Sequence, residues 1–154
     1  MPLLTCYLFK GLSKSQLQRI ANISMEKQFQ KGQLLFHEGR KADQLFLLKE
    51  GKVELLTKIG EAIELPIDIL RSKGSCFGTT ILVAPYLYSL SSRCAEDSSL
   101  IVIKKTDLEQ VISQDCELGF IMMSNMSQHL LERLKETREE LKIHFKTFVK
   151  SVHA

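Results

Sequence analysis

Apolar positions fall at three- and four-residue steps at both ends of the chain and at two-residue steps or in short runs between them. Near the N-terminus, Leu17, Ile20 and Ala21 share one helical face. Ser13, with Gln16 three residues on, forms a capping box that opens this helix. Phe9 and Leu12 precede it and are expected against the same core, so the N-terminal helical segment is placed at 9–24. From 25 to 104 the pattern is that of strands, expected at 25–29, 33–36, 44–49, 52–58, 89–94 and 100–104. Ile63, Leu65, Ile67 and Ile69 alternate with polar or small residues. Pro66 interrupts them, which predicts an edge or bulged strand. Gly32, Gly39 and Gly51 punctuate the runs at turn-like intervals. Glu50-Gly51 reads as a hairpin turn and Ile59-Gly60-Glu61 as a second turn. Many short strands with glycine turns predict a mainly β fold with flanking helices, a sandwich or jelly roll.

The helical period returns at about residue 106. Thr106 is the expected cap of a short helix whose buried face is Leu108, Val111 and Ile112. Asp115 can cap a long helix from 116 to about 145, and the helical region as a whole is placed at 106–150. Leu118, Phe120, Ile121 and Met122 are assigned to the face that packs on the strands. Met123, Met126, Leu130, Leu134 and Leu141, with Thr137 among them, then recur at three- and four-residue steps. This coiled-coil-like stripe runs past anything the β-rich part could cover, and it predicts a homodimer through the C-terminal helix.

The bulk numbers narrow the class. A chain of 154 residues suits one domain, 1–154, with a real core. A hydrophobic fraction of 44% and a charged fraction of 25% are ordinary for a soluble protein. A net charge of +3 is too small to argue for nucleic acid. No apolar run approaches the roughly 20 residues that span a bilayer, and the N-terminus lacks the basic lead and cleavage site of a signal peptide. These features predict a cytoplasmic protein. Cys6, Cys76, Cys94 and Cys116 stand singly, as expected of reduced thiols. His37, His129, His144 and His153 show no metal-ligand spacing, so no metal is assigned. An enzyme on a cupin-like roll would need such a cluster, so the chain is read as non-catalytic.

The order of Gly32, Glu38-Gly39, Gly51, Phe77-Gly78 and Asp97-Ser98 resembles the cyclic-nucleotide-binding domain family. The resemblance implies a β-roll between an N-terminal helix and a long C-terminal helix. It also implies a phosphate-binding cassette, here 76–95. In ligand-binding members, Phe-Gly-Glu opens a short helix whose N–H groups attract the cyclic phosphate. An arginine in the following strand adds a charge-assisted bond, and the glutamate accepts from the ribose hydroxyl. Here Phe77 and Gly78 match, Thr79 stands at the glutamate position and Tyr88 at the arginine position. Ser91 keeps the hydroxyl of the family's Thr/Ser position, and Arg93 lies further along the strand. Losing one partner of a buried charge pair costs about 2–5 kcal/mol, roughly a 30- to several-thousand-fold loss of affinity.

The expectation is therefore a regulatory or sensory module with weak or absent cAMP and cGMP binding and no resident cofactor. Three readings of the cassette stay open. Tyr88, Leu90 and Thr79 fill the pocket and the domain works through a protein partner. Or Thr79, Thr80, Ser89, Ser91 and Ser92 offer hydroxyls to another small anionic ligand. Or Arg93 compensates for the lost arginine. DNA-binding relatives carry a winged helix-turn-helix after the long helix, which takes roughly 60 further residues. Direct nucleic-acid binding by this chain alone is not expected, and it reads as a stand-alone sensor or as a fragment of a transcription regulator.

Overall fold

The computed structural model describes residues 2–153. The chain runs α1 (Pro2–Thr5), a 3-10 turn (Tyr7–Phe9), α2 (Lys14–Asn22), β1 (Ser24–Phe29), β2 (Leu34–Phe36), β3 (Gln44–Glu50), β4 (Val53–Ile59), β5 (Ile63–Leu70) and β6 (Cys76–Phe77). A second 3-10 turn (Thr79–Leu82), β7 (Ser91–Cys94), β8 (Ser98–Lys104), α3 (Lys105–Gln114) and α4 (Cys116–His153) complete it. One antiparallel sheet has the order β1-β8-β3-β6 and the other β2-β7-β4-β5. This is the jelly-roll-like β-roll with flanking helices.

β3 and β8 show why the middle of the first sheet reads as unbroken apolar runs. Leu45 and Leu47 face a cluster built with the helices, among Leu8, Phe9, Ile20, Leu108, Leu118 and Met122. Phe46 and Leu48 face the other way, into a second cluster between the sheets with Val53, Phe77, Leu100 and Val102. A strand covered on both faces has no polar side to show.

β3 and β4 are not hydrogen-bonded to each other and belong to different sheets. Glu50-Gly51 is thus a corner that carries the chain between sheets, not the hairpin turn expected. Gly51 sits at φ 113°, and a Cβ there would lie 2.2 Å from the Ser98 Oγ, a close approach only glycine permits. The β4–β5 turn through Gly60 is a true hairpin. β5 is an edge strand, and its register shifts opposite Leu55 and Leu56, next to Pro66, as that proline predicts.

The helices depart from expectation at their ends. The Ser13–Gln16 capping box is present, but the helix it opens is Lys14–Asn22, shorter than 9–24. α3 starts at Lys105, one residue before the expected cap Thr106, and its N-cap Lys104 offers no side-chain bond. Asp115 does cap α4, its Oδ1 accepting from the Leu118 N–H at 3.1 Å. That carboxylate also accepts from Gln16 and pairs with Arg19, tying the start of α4 to α2. Leu118, Gly119, Met122 and Met126 form the buried face of α4. Phe120, assigned to that face from sequence, is 75% exposed.

Candidate ligand pocket

A cleft of about 350 Å³ opens between the β-roll and α4. The cassette side contributes Cys76, Phe77, Gly78, Thr79, Thr80, Tyr88, Ser89 and Leu90. Phe36, Leu55, Asp68 and Leu70 come from the strands, Tyr7 from the first 3-10 turn, and His129, Leu130 and Arg133 from α4.

Gly78 turns the chain into the cassette at φ 81°, where a Cβ would lie 2.9 Å from the Gln44 carbonyl oxygen. Only four residues of 3-10 helix follow it, Thr79–Leu82, rather than a regular short helix. So few aligned peptides sum to a small dipole, and the attraction for an anion is correspondingly reduced.

Tyr88 is 4% exposed. Its hydroxyl accepts from the backbone N–H of Gln44 at 3.0 Å and of Asp43 at 3.3 Å. It can donate to the Gln44 carbonyl at 2.9 Å or the Asp43 carboxylate at 3.2 Å. The ring packs on Phe36, with centroids 3.8 Å apart, and burial pushes the phenol's pKa up. Tyr88 is therefore a polar tie between its own loop and the start of β3.

Three of the sequence candidates lie outside the lining. The Ser91 hydroxyl accepts from the Glu38 N–H at 2.9 Å. Arg93 pairs with Glu54 at 3.3 Å and Glu64 at 3.0 Å on the β4–β5 side of the second sheet. Ser92 is buried and also absent from the lining. Phe77, Gly78, Thr79, Thr80, Tyr88, Ser89 and Leu90 do come together in the cleft.

Sequence reasoning missed the far wall. The His129 ring stacks on Tyr7 with centroids 4.0 Å apart and planes 12° apart. Burial, then the neighbouring Arg133, hold the imidazole below its usual pKa. The Tyr7 phenol is pushed well up by burial and by the adjacent Cys76. Arg133 reaches from α4 to Asp68 of β5, with Nη2 and Oδ2 3.6 Å apart. Among the described residues it is the lone Lys or Arg of the lining, and it already faces a carboxylate there. His129, Leu130 and Arg133 fall on neighbouring turns of one helix, a signal their spacing could have supplied. Nothing local links them to Tyr7 or Asp68. Among the described residues no three His, Cys, Asp or Glu side chains gather as a metal would require.

Comparison with known proteins bears on this geometry. The family model for the cyclic nucleotide-binding domain matches residues 26–115. The chain belongs to that family. It is 28% identical over 130 residues to the anaerobic regulatory protein of Bacillus subtilis, a match covering 84% of this chain. The chain spans about half of that relative's length, 55%. A solved Geobacter metallireducens protein assigned to cyclic nucleotide binding is 34% identical, with a TM-score of 0.71, over 82% of this chain and 91% of its own. The Thermus thermophilus catabolite activator protein shares the fold, with a TM-score of 0.74 at 24% identity over 89% of this chain and 62% of its own. No helix among the described residues is long and apolar enough to cross a membrane.

Proposed function

We propose that this domain is a non-catalytic regulatory or sensory module that binds cAMP and cGMP weakly or not at all and acts through protein contacts. The observation that carries this reading is Tyr88, whose hydroxyl is taken up by Asp43 and Gln44 at the position of the family's phosphate arginine. Thr79, at the glutamate position, has no carboxylate to accept from a ribose. The guanidinium of the cleft is held by Asp68. A cyclic phosphate would enter without a free counter-charge, and burying an unpaired charge is costly. Titration calorimetry with cAMP and cGMP tests this. No saturable heat is expected at low micromolar concentration, and saturation there would overturn it.

The first protein contact is a second copy of the chain. Leu130, Leu134 and Leu141 are exposed on α4, Met123 is partly so, and Met126 is packed in the domain's own core. Light scattering is expected to give a dimer mass, and a monomer would count against this contact. We place the module in the cytoplasm, where its thiols remain reduced.

A second reading has its own support. The Thr80 Oγ1 is buried beside the cleft with no hydrogen-bond partner, which suits a small polar or anionic ligand of different shape. A thermal-shift screen of such anions, with Thr80→Val as the control, separates the two. A shift that Thr80→Val abolishes supports the ligand, and no shift across the panel supports the structural pocket.

A further inference from the structure

Two of the four cysteines meet in the fold. Cys6 leads into the first 3-10 turn and is 2% exposed, and Cys76 lies on β6 in the lining of the cleft. The backbone brings them together. The Thr5 Oγ1 donates to the Lys73 carbonyl at 3.2 Å. Gly74, at φ 90°, passes so close that a Cβ there would lie 2.0 Å from the same oxygen. β6 then runs beside β3 with Cys76 opposite Leu47, and Leu47 shares the helix-side core cluster with Cys6. Cys76 packs against that cluster, its thiol donating to the Cys6 sulfur and accepting from the Tyr7 hydroxyl.

The two thiols are chemically unequal. The hydrogen bond from Cys76 holds the Cys6 thiol below its ordinary pKa, and the same bond, with burial, pushes that of Cys76 up. The thiolate is the nucleophilic form, so a lowered pKa favours reaction. Both thiols are free. The other two cysteines lack such a neighbour: Cys94 lies in the second core cluster, its pKa raised by burial, and Cys116 is exposed at the start of α4. The Tyr7 ring stacks on His129, so the pair sits where the N-terminal turn, the cassette and α4 meet. The cleft gives a small solute a path to Cys76.

We propose that Cys6 and Cys76 form a redox modification site, which hydrogen peroxide entering by the cleft converts to an intramolecular disulfide. One sulfur attacks the peroxide O–O bond, which breaks to give a sulfenic acid and one water. The other sulfur attacks the sulfenic sulfur; the S–S bond forms, the S–O bond breaks and the second oxygen leaves as water. The two thiol protons leave in the two waters, so one dithiol is oxidised and one peroxide reduced. A dithiol reductant reverses the step by exchange, as suits a transient disulfide in a reducing compartment. The site gives the sensory module an input of its own. It stands apart from the cAMP reading, because neither Thr79 nor Tyr88 takes part.

The full chain tests this without substitution. It is treated with graded hydrogen peroxide, blocked with N-ethylmaleimide in denaturant and mapped by peptide mass spectrometry. A Cys6–Cys76 linked peptide is expected to appear several-fold faster than the exposed Cys116 loses its thiol, and dithiothreitol is expected to return both cysteines. Loss of Cys116 first, with Cys6 and Cys76 still alkylated, overturns the site. So does a linkage of either one to Cys94 or Cys116 in its place. Peroxide added to the chain already unfolded in denaturant is expected to abolish the preference for this pair. The same several-fold advantage there would overturn the role of the fold in building the site.

Discussion

At position 88 a side chain that borders the cleft also holds the backbone of Asp43 and Gln44. Removing its hydroxyl takes that acceptor from two part-buried amides, at a cost of about 0.5–1.5 kcal/mol. Tyr88→Phe is expected to lower stability by that amount in urea denaturation, and an unchanged midpoint would mean the tie is idle. Gly78 is constrained in another way, by its positive φ and by the Gln44 carbonyl 2.9 Å from where a Cβ would stand. Gly78→Ala should cost more than about 1 kcal/mol. Thr79 and Tyr88 were named from sequence and do line the cleft, because they sit in one short stretch of chain. That Ser91 and Arg93 lie outside the cleft was not legible, since the partners that hold them are distant in sequence, Glu38 in the turn after β2 and Glu54 and Glu64 on other strands.

At the scale of elements, the Ser13 and Asp115 caps and the Pro66 edge could be read, while the α3 cap and the strand pairings could not. Ser13, Asp115 and Pro66 act through neighbours a few residues away, and each behaves as its type predicts. Glu50-Gly51 has the local chemistry of a hairpin, yet the faces of β3 and β4 are claimed by different sheets, a fact no window of sequence contains. Asp115 carries a prediction of its own. The Leu118 N–H first, then Gln16 and Arg19, hold its carboxyl below the usual range. Its contribution is therefore complete above the ordinary carboxylate pKa of about 3.9 and is lost as pH falls through the lower folded value. Asp115→Asn keeps the cap and should show a shallower loss of stability between neutral and acid pH than the wild type. Asp115→Ala should lower the urea midpoint at neutral pH by the loss of the cap. Equal acid dependence in wild type and Asp115→Asn would remove this account.

For the whole molecule, the cleft exists because three distant parts of the chain meet: the turn at Tyr7, the cassette, and α4 at His129 and Arg133. The fold was legible from alternation and glycine spacing. The far wall was not, because contact between Tyr7 and His129 depends on how α4 lies along the roll. Burial favours the neutral imidazole of His129. The stack on Tyr7 should accordingly contribute fully above the ordinary histidine pKa of about 6.5 and weaken as pH falls through the lower folded value.

Amide NMR tests residue by residue whether cAMP enters the cleft. With cAMP added to millimolar concentration, the amide signals of Gly78, Thr79, Thr80 and Ser89 are predicted to stay in place. Saturating shifts confined to those amides at micromolar cAMP would contradict the account.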